Sequence, residues 1–357
     1  MRIFDLIVVG GGPIGLFLAS LFKKRGFEVL VLEKRKDLET TKPCSSLVSK
    51  NFFEFLPKDS SFFEKEFSKA RIWISNSFFD FNGKAYLLNR QKLERFLLES
   101  AKRIGVLVRF SSEVQKVKEG EEFVEVFLTK ERFKAKIVAG CDGALSKVGK
   151  EIGFSHKTLL FGVVAYLKED SRGDFPELFF QKKFPKFFAW RIPRKNKTEW
   201  GVALEPKYFP KEKLKSWLSN NLVDVKKTEF FGAPIPASPL KKFVSKRIFL
   251  CGDSAGHIKA YTGGGLVYGM IAAKLASETI NPDFPNLCLF EKEFKRKMKA
   301  EFFWGKLIKA SYSLPDFIKK TALCLLSRLN KRKPFDQDRP TSIFKTLLLN
   351  FSENNIK

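Results

Sequence analysis

The chain has 357 residues, of which 44% are hydrophobic and 29% charged, a balance typical of globular rather than disordered proteins. This length can bury more than one core, so we expect about two domains. Lysine and arginine exceed aspartate and glutamate by 27, which favours an anionic membrane surface, an acidic substrate or nucleic acid, or serves solubility alone. Five cysteines in no C-x-x-C pair and only two histidines argue against a metal site and a disulfide framework.

The N-terminus enters an apolar strand pattern at Ile3, which leaves no room for a signal peptide. No apolar run approaches the length of about 18 residues that a membrane-spanning helix needs. We therefore expect a cytoplasmic protein, either soluble or peripheral to the membrane, and a monomer.

Residues 3 to 35 carry the pattern of a strand, a helix and a second strand. Ile3–Val9 and Glu28–Leu32 are apolar runs typical of buried strands, and Leu16–Lys24 has helical periodicity. The turn after the first strand reads Gly-Gly-Gly-Pro-Ile-Gly, a G-x-G-x-x-G sequence that opens a helix. Glycines there let the backbone approach a pyrophosphate, whose charge the helix dipole stabilises. The pattern predicts a dinucleotide site.

The second strand of this unit ends in a carboxylate, Glu33. A carboxylate at that position accepts hydrogen bonds from the adenosine ribose of a dinucleotide. The predicted cofactor-binding residues of the unit are Gly10, Gly12, Pro13, Gly15, Glu33 and Lys34.

Three later stretches can complete the same site. A helix is predicted from Asn89 to Arg103, and Arg90 at its start either contacts the pyrophosphate side of a cofactor or is a solvated arginine. Two apolar strands, Lys136–Ala139 and Ile248–Cys251, each lead into a turn that pairs glycine with aspartate. Aspartate at such a strand end can accept a hydrogen bond from a ribityl hydroxyl, and bare glycine amides at a helix start can meet phosphate. The predicted residues are Arg90, Asp142, Gly252, Asp253, Gly263, Gly264 and Gly265.

Taken together, these motifs resemble those of FAD-dependent oxidoreductases with the p-hydroxybenzoate hydroxylase type of fold. The resemblance implies FAD as cofactor and an α/β protein with a Rossmann-like FAD-binding domain. That domain would be built from residues 1–150 and 241–295. An inserted antiparallel β-sheet domain for the substrate would occupy residues 151–240, and a helical region would occupy residues 296–357.

The predicted insert supports an apolar substrate. Its short strands are dense in Phe, Trp and Val, which matches an antiparallel sheet. Aromatic side chains at alternate positions line a pocket or fill a core, and an apolar chain can be held by area alone, at about 25 cal/mol per Å². The predicted strands are Phe161–Leu167, Glu177–Phe180, Phe187–Ile192 and Glu199–Leu204.

Two stretches resemble the geranylgeranyl reductase branch of this family. Residues 42–46, Lys-Pro-Cys-Ser-Ser, are similar to its K-P-C-G-G motif, with serines in place of both glycines. Residues 185–193 are similar to its P-x-x-Y-x-W-x-F-P motif, with Phe188 in place of tyrosine and Ile192 in place of phenylalanine. The resemblance implies Cys44 as the candidate catalytic residue near the flavin, and Phe188, Trp190 and Pro193 as substrate-binding residues.

This resemblance implies an FAD-dependent reductase that saturates carbon–carbon double bonds in geranylgeranyl chains of membrane lipids or their precursors. An isolated alkene is a poor electrophile, so a proton has to arrive with the hydride in a water-poor pocket. Cys44 either donates that proton, directly or through water, or is a small buried loop residue. The electron donor, ferredoxin or NAD(P)H, stays open, as do the head group, the chain length and the number of bonds reduced.

Two other functions fit parts of the sequence. Residues 188–193 also resemble the W-x-W-x-I-P motif of flavin halogenases, which allows a flavin-dependent monooxygenase or halogenase acting on an apolar substrate. A non-catalytic lipid-binding flavoprotein is supported by charge alone. The chain carries no known nucleic-acid-binding motif, so we expect no nucleic-acid partner.

The last third is basic and helical in pattern from Glu291 to Lys333, with proline breaks such as Pro315. Basic amphipathic helices with aromatic residues suit an anionic membrane surface. The alternative is a helical subdomain packed on the FAD domain. We expect this segment to contribute to reversible docking on membranes.

Overall fold

In the computed structural model, the described residues are 2–39, 43–59, 61–168, 173–221, 228–332, 335–336 and 338–342. Lys42 of the predicted cysteine motif lies outside them, as do residues 343–357 of the predicted C-terminal region.

Fifteen strands and seven α-helices are formed within these residues. The helices are α1 Pro13–Lys24, α2 Arg90–Arg103, α3 Lys147–Glu151, α4 Pro210–Asn221, α5 Leu266–Thr279, α6 Leu287–Ser311 and α7 Asp316–Arg332. The strands are β1 Ile3–Val9, β2 Val29–Leu32, β3 Leu47–Val48, β4 Phe63–Ile74, β5 Ser77–Leu88, β6 Leu107–Arg109, β7 Lys116–Glu119, β8 Val124–Phe127, β9 Arg132–Gly140, β10 Leu159–Lys168, β11 Glu177–Phe180, β12 Ala189–Pro193, β13 Lys197–Leu204, β14 Phe230–Pro236 and β15 Ile248–Leu250.

The first sheet has seven strands in the order β6-β2-β1-β9-β8-β7, with β15 also paired to β9. Strands β1, β9 and β15 run parallel, and their last residues lie side by side, with Val9 and Leu250 both opposite Gly140. Because loops and ligands gather at the carboxyl ends of parallel strands, the turns that follow these three strands meet at one edge. The predicted β1–α1–β2 unit is confirmed, with β1 parallel to β2.

The second sheet has eight strands in the order β14-β10-β13-β12-β11-β4-β5-β3. The four strands predicted for the insert are present as β10 to β13, and neighbours among them pair antiparallel. Strands β3, β4 and β5 also belong to this sheet, although they fall within residues 1–150, which the sequence analysis assigned to the FAD domain. The parallel pairing of β4 with β11 joins residues about a hundred positions apart, and so long a separation leaves no local sequence signal.

The two faces of the second sheet have different coverings. On one face, Trp200 and Phe179 pack against Trp217 of α4, with ring centroids 5.2 and 4.9 Å away. Trp190 and Glu199 lie on the opposite face, because side chains alternate along a strand and each is a sequence neighbour of a residue on the α4 side. That second face is turned towards the first sheet, since Ile235 on it lies beside Gly263 of the loop before α5.

The predicted C-terminal helical region is present as α6 and α7, which are separated at Pro315. Phe290 and Phe294 of α6 are buried against Phe243. Tyr312, at the end of α6, packs on Phe180 of the second sheet, with ring centroids 4.8 Å apart. The segment therefore packs on the rest of the protein, as the helical subdomain alternative expects. It also exposes lysines such as Lys306 to solvent, as the membrane-docking alternative requires. None of the helices in the described ranges is long and apolar enough to cross a membrane.

The packing of α4 on the second sheet gives a test of this core. Replacing Trp217, which is 4% exposed, by alanine should lower the free energy of unfolding by about 3–5 kcal/mol, because it leaves a cavity between three aromatic rings. Leu325→Ala is the control, since Leu325 is 51% exposed on α7 and its loss should change stability by about 0.5 kcal/mol or less. Urea denaturation followed by circular dichroism measures both. Equal effects of the two substitutions would contradict the assigned core.

Candidate FAD and substrate site

The turn between β1 and α1 brings glycine backbone to the open end of a helix. Gly10 has φ +108°, and a Cβ atom there would overlap the carbonyl oxygen of Cys141. A Cβ on Gly15 would overlap the carbonyl oxygen of Gly10, so both glycines are required by the fold itself. A Cβ on Gly12, the N-cap of α1, would meet nothing within 4 Å. The space in front of the helix is therefore open at Gly12, where unpaired N–H groups can meet a phosphate.

Glu33 lies at the end of β2 and is already engaged by protein groups. Its Oε2 accepts a hydrogen bond from the Gly11 amide at 2.7 Å, and its Oε1 accepts from the Arg35 amide at 2.8 Å. Burial raises the pKa of Glu33, but the hydrogen bonds and charge of Arg35 outweigh it and hold the pKa below its ordinary value. The carboxylate is thus ionised and positioned beside the glycine turn. Lys34, the next residue, is exposed.

Arg35 is a site residue that the sequence analysis missed. Its guanidinium bridges Glu33 and Glu94 of α2, with Nη1 2.8 Å from Glu94 Oε2. Arg90 donates to the other Glu94 oxygen at 2.7 Å. Burial lowers the pKa of Arg90, but the charge of Glu94 and the hydrogen bond to it raise that pKa above its ordinary value. Arg90 therefore stands at the start of α2, where its ion pair with Glu94 holds the guanidinium.

The carboxylate of Asp142 is taken up by the loop that precedes α3. It accepts from the Ser146 hydroxyl at 2.6 Å and from the amides of Lys147 at 2.7 Å and Val148 at 3.2 Å. Its predicted contact with a cofactor stays a prediction. These bonds show that the Asp142 side chain caps the start of α3. The backbone of the turn still lies at the edge where β1, β9 and β15 end.

The loop from Gly252 to Gly265 closes the site from the other side. Asp253 is exposed, and its Oδ1 is 2.7 Å from where a Cβ on Gly265, the N-cap of α5, would lie. His257 is buried beneath it, and its Nδ1 accepts from the Gly252 amide at 3.3 Å. Burial lowers the pKa of His257 to about 3, so its ring is neutral and acts as an acceptor that supports this turn. Gly263, with φ +75°, faces Ile235 of the second sheet.

The C-terminal segment returns to this loop. Buried Lys259 forms an ion pair with Asp338, and the Tyr268 hydroxyl donates to the Asp338 carbonyl at 3.0 Å. The Ser49 amide donates to the Asp338 carboxylate at 3.3 Å. Asp338 thereby connects the loop before α5 with the segment that follows Cys44. Nothing in the sequence near Asp338 indicates this, because the pairing is non-local.

Trp190 lies flat over the backbone of β13. A Cβ on Gly201 would overlap the indole, so glycine is the residue that lets the ring lie there. The indole Nε1 donates to Glu199 at 2.9 Å. Phe188 precedes β12 rather than lying on it, and its ring stacks on Phe187 with centroids 4.4 Å apart. Pro193 ends β12 and is buried.

Cys44 is partly exposed and directly precedes Ser45, which shares a hydrogen-bond partner with Trp190. The hydroxyl of the next residue, Ser45, donates to Glu199 at 2.6 Å. Burial raises the pKa of Tyr166, and the negative charge of nearby Glu199 raises it further. The structure gathers the loop of Cys44 and Ser45, Trp190 and Tyr166 around Glu199 and Arg194. Tyr166, Glu199 and the neighbouring Arg194 were missed, because polar residues inside strands give no motif.

The residues on both sides of the cleft fit an FAD molecule. A dinucleotide with a ribityl chain requires groups for its phosphates, its ribose and its ribityl hydroxyls. The site supplies the open helix N-terminus at Gly12, ionised Glu33 beside it, the Arg90 guanidinium and exposed Asp253. Gly263 of the loop before α5 lies against the second sheet, beside Ile235 and Phe187.

Comparisons with known proteins agree with this arrangement. Residues 60–276 match the model of a family described as FAD binding domain, and residues 8–39 match that of an NAD(P)-binding Rossmann-like domain. The first match covers more than half of the chain. The fold and site define an FAD-dependent oxidoreductase, and the chain belongs to the family that carries this FAD-binding domain.

Individual relatives narrow the resemblance. An uncharacterized protein of Methanocaldococcus jannaschii is 27% identical over 95% of this chain and 94% of its own length. The digeranylgeranylglycerophospholipid reductase of Methanosarcina acetivorans is 28% identical over 77% of this chain and 74% of its own. The resemblance to geranylgeranyl reductases drawn from the two motifs is thus confirmed.

Solved structures confirm the fold. A geranylgeranyl bacteriochlorophyll reductase-like protein of Thermoplasma acidophilum gives a TM-score of 0.82 at 20% identity, covering 97% of this chain and 96% of its own. The flavin-dependent brominase Bmp2 gives a TM-score of 0.70 at 14% identity, covering 100% of both chains. At these identities the two structures share the fold and say nothing of the reaction.

The open space at Gly12 gives a test of cofactor placement. Gly12→Ala should leave the apoprotein folded with an unchanged melting temperature, because the new methyl group meets no protein atom within 4 Å. It should weaken FAD binding by about tenfold or more, since the methyl group fills the approach to the N-terminus of α1. Differential scanning fluorimetry and FAD titration by fluorescence quenching measure the two quantities. A variant that binds FAD as tightly as the wild type would place the pyrophosphate elsewhere.

Proposed function

We propose that the protein is an FAD-dependent reductase that saturates carbon–carbon double bonds in geranylgeranyl chains of membrane lipids or of their precursors. The observation that carries the proposal is the aromatic sheet face beside Cys44 and opposite the glycine loop, in a chain whose relatives include digeranylgeranylglycerophospholipid reductases. Such a cleft offers apolar area on one side and phosphate-binding backbone on the other.

The cofactor would be held by residues on the first sheet and on the loop before α5. Gly10, Gly12, Pro13 and Gly15 would face the pyrophosphate, Glu33 and Lys34 the adenosine side, and Asp253 the ribityl chain. Asp142 and Gly252 follow the carboxyl ends of β9 and β15, and Arg90 at the start of α2 would face the pyrophosphate side. Gly263, Gly264 and Gly265 would approach the ring. When bound and reduced, FAD supplies a hydride.

The side chains of the second sheet would hold the apolar substrate and exclude water. Trp190 presents its ring face over Gly201, and Phe188 fixes the start of that strand through its stack on Phe187. Each Å² of apolar surface removed from water contributes about 25 cal/mol, so an isoprenoid chain needs no polar recognition along its length. Pro193 ends β12 and directly precedes Arg194.

The proton would come from the side of the cleft where Cys44 lies. The Cys44 thiol is the candidate donor, directly or through water, because it is partly exposed and its neighbour Ser45 binds the carboxylate that also binds Trp190. Tyr166, whose ring lies 5.9 Å from the Arg194 guanidinium, carries a hydroxyl in the same region. Its raised pKa keeps that phenol protonated. A donor placed beside the alkene is worth about 10²–10⁴ in rate.

An electron donor has to reduce the protein between turnovers. The match to an NAD(P)-binding Rossmann-like domain covers residues 8–39, the same unit that would hold the adenosine half of FAD. Transient contact with NAD(P)H or with a ferredoxin are the two routes that remain for electron supply.

The reaction is tested by a single turnover without oxygen. Protein reduced with dithionite and mixed with a geranylgeranyl lipid should regain the absorbance of oxidised flavin, and mass spectrometry should show a gain of about 2 Da for each saturated bond. Cys44→Ala and Cys44→Ser should slow this step by about 10²–10⁴-fold if the thiol donates the proton.

Cys288→Ser, which changes an exposed cysteine on α6, is the matched control and should keep the wild-type rate. Unchanged rates in both Cys44 variants would exclude a chemical role for Cys44. If no saturated product forms, and the reduced protein incorporates oxygen into the substrate when oxygen is admitted, the enzyme is a monooxygenase and not a reductase.

We further propose that the protein is cytoplasmic and docks on the membrane through the α6–α7 tip, defined as residues 303–320. The tip exposes a group of apolar side chains and carries exposed Lys306 and partly exposed Lys320. Lysines near an anionic surface are worth about 1 kcal/mol each, within a Debye length of about 8 Å. Tyr312 connects the tip to the aromatic sheet, which would shorten the path of a lipid from the bilayer. The exposed apolar residues are Phe303, Leu307, Leu314, Phe317 and Ile318.

Docking is tested by co-sedimentation with vesicles. Binding should be stronger on vesicles with anionic lipids than on neutral ones and should fall as salt rises. Phe303→Ser with Phe317→Ser should reduce binding by about tenfold or more, because the pair removes two aromatic rings from the interface.

Phe284→Ser is the matched control, since Phe284 is 82% exposed but precedes α6 at the end away from the tip. Equal binding to neutral and anionic vesicles would show that the positive charge serves solubility. Equal loss in the control and the tip variant would remove the tip from the docking surface.

A further inference from the structure

Glu199 is the centre of a buried polar cluster on the face of the second sheet that carries Trp190. Its side chain is fully buried, yet each oxygen accepts two hydrogen bonds. Oε1 accepts from the Ser45 hydroxyl at 2.6 Å and from Trp190 Nε1 at 2.9 Å. Oε2 accepts from Arg194 Nε at 3.0 Å and Nη2 at 2.7 Å. With four donors the carboxylate is saturated, so its position is fixed.

Arg194 completes the cluster from the end of β12. Besides pairing with Glu199, its Nη2 donates to the carbonyl oxygen of Ser45 at 2.9 Å, and its Nη1 donates to Glu64 at 3.0 Å. Ser45 is therefore held by both its side chain and its backbone. Because Ser45 follows Cys44 directly, these bonds fix the peptide that carries the thiol.

The backbone after Cys44 shows why such support is useful. Ser46 has φ +51°, in the left-handed region that glycine tolerates and other residues rarely adopt. The K-P-C-G-G motif that this loop resembles has glycine at both positions. In this chain the Ser45 hydroxyl makes a hydrogen bond to Glu199 that a glycine cannot make. This bond is next to Ser46, the residue with the strained backbone.

A second cluster of the same composition lies on the other face of the sheet. Glu177 accepts from Trp73 Nε1 at 2.9 Å and pairs with Arg191 at 3.2 Å. Both glutamates are buried, and both hold a tryptophan and an arginine. The cluster around Glu177 lies on the face of the sheet opposite Glu199 and Ser45. It therefore separates the effect of a buried ion pair from the effect on the Cys44 loop.

We infer that Glu199 is a positioning residue for Cys44 and acts through Ser45 and Arg194. The inference rests on the proposed function for its chemical meaning, because a thiol held in one place is required only if it faces a substrate beside the flavin. The placement itself can be measured without any substrate. Trp190 shares the Oε1 atom of Glu199 with Ser45, so the same carboxylate sets the distance between the thiol loop and the aromatic wall.

The test compares Ser45→Gly and Glu199→Gln with Glu177→Gln, all as FAD-loaded protein. Cys44 and Cys288 are alkylated with iodoacetamide, and peptide mass spectrometry gives the ratio of their rates. Exposed Cys288 on α6 is the internal reference. The ratio should rise about fivefold in Ser45→Gly, the factor by which loss of one hydrogen bond increases an open population. It should rise further in Glu199→Gln and stay within about twofold of wild type in Glu177→Gln.

Ser45→Gly keeps the inference testable if Glu199→Gln fails to fold, because Ser45 is only partly buried. An unchanged ratio in Ser45→Gly, or an equal rise in Glu177→Gln, would overturn it. A changed ratio without turnover of any geranylgeranyl lipid would uphold the positioning and count against the proposed function. Where turnover occurs, Ser45→Gly should lower kcat more than it raises KM, with kcat expressed per bound flavin. Counting only flavin-loaded protein keeps a loss of folded protein from lowering this kcat.

Discussion

The parallel alignment of β1, β9 and β15 is the constraint on which the rest of the structure depends. Their last residues are in register across Gly140, so three turns from distant parts of the chain end at one edge of the first sheet. A Cβ on Gly140 would clash with Val148 and Leu250. The close packing of these strands therefore requires glycine at this position. Without that register, the glycine turn, the Asp142 loop and the Gly252 turn would not share a site.

The second sheet supplies what the first cannot. The first sheet ends in backbone amides and carboxylates, which suit phosphate and sugar hydroxyls. The second presents Trp190 and a Cys44 loop held by Glu199. One face of that sheet is sealed by α4 and the other is turned towards the cofactor loop, so its aromatic residues divide into a core and a wall. The proposed function rests on these two kinds of surface lying next to each other.

Local patterns in the sequence were enough for the elements and the cofactor. The glycine turn, β2 with Glu33 and the helix capped by Asn89 were predictable, because strand and helix periodicities and the glycine spacing are local. The strands of the insert were also predictable from their aromatic and β-branched residues. The positions of Phe188 and Asp142 were less so, because a strand boundary and a capping bond depend on geometry that composition does not show.

Non-local pairings were beyond the sequence. Strand β4 joins β11 across about a hundred residues, and Lys259 meets Asp338 from the far end of the chain. Buried ion pairs such as Arg194–Glu199 leave no pattern, since a charged residue inside a strand reads as solvent-facing. Removing one partner of such a pair typically costs about 3–5 kcal/mol, so these missed residues matter to stability as well as to the site.

The most direct measurement of the central claim is a crystal structure of the protein with FAD bound. The account predicts the pyrophosphate at the N-terminus of α1 beside Gly12, the ribityl chain near Asp253, and the flavin ring between the loop at residues 263–265 and the face that carries Cys44 and Trp190. A flavin ring bound away from Cys44 and Trp190, or a pyrophosphate away from Gly12, would contradict it.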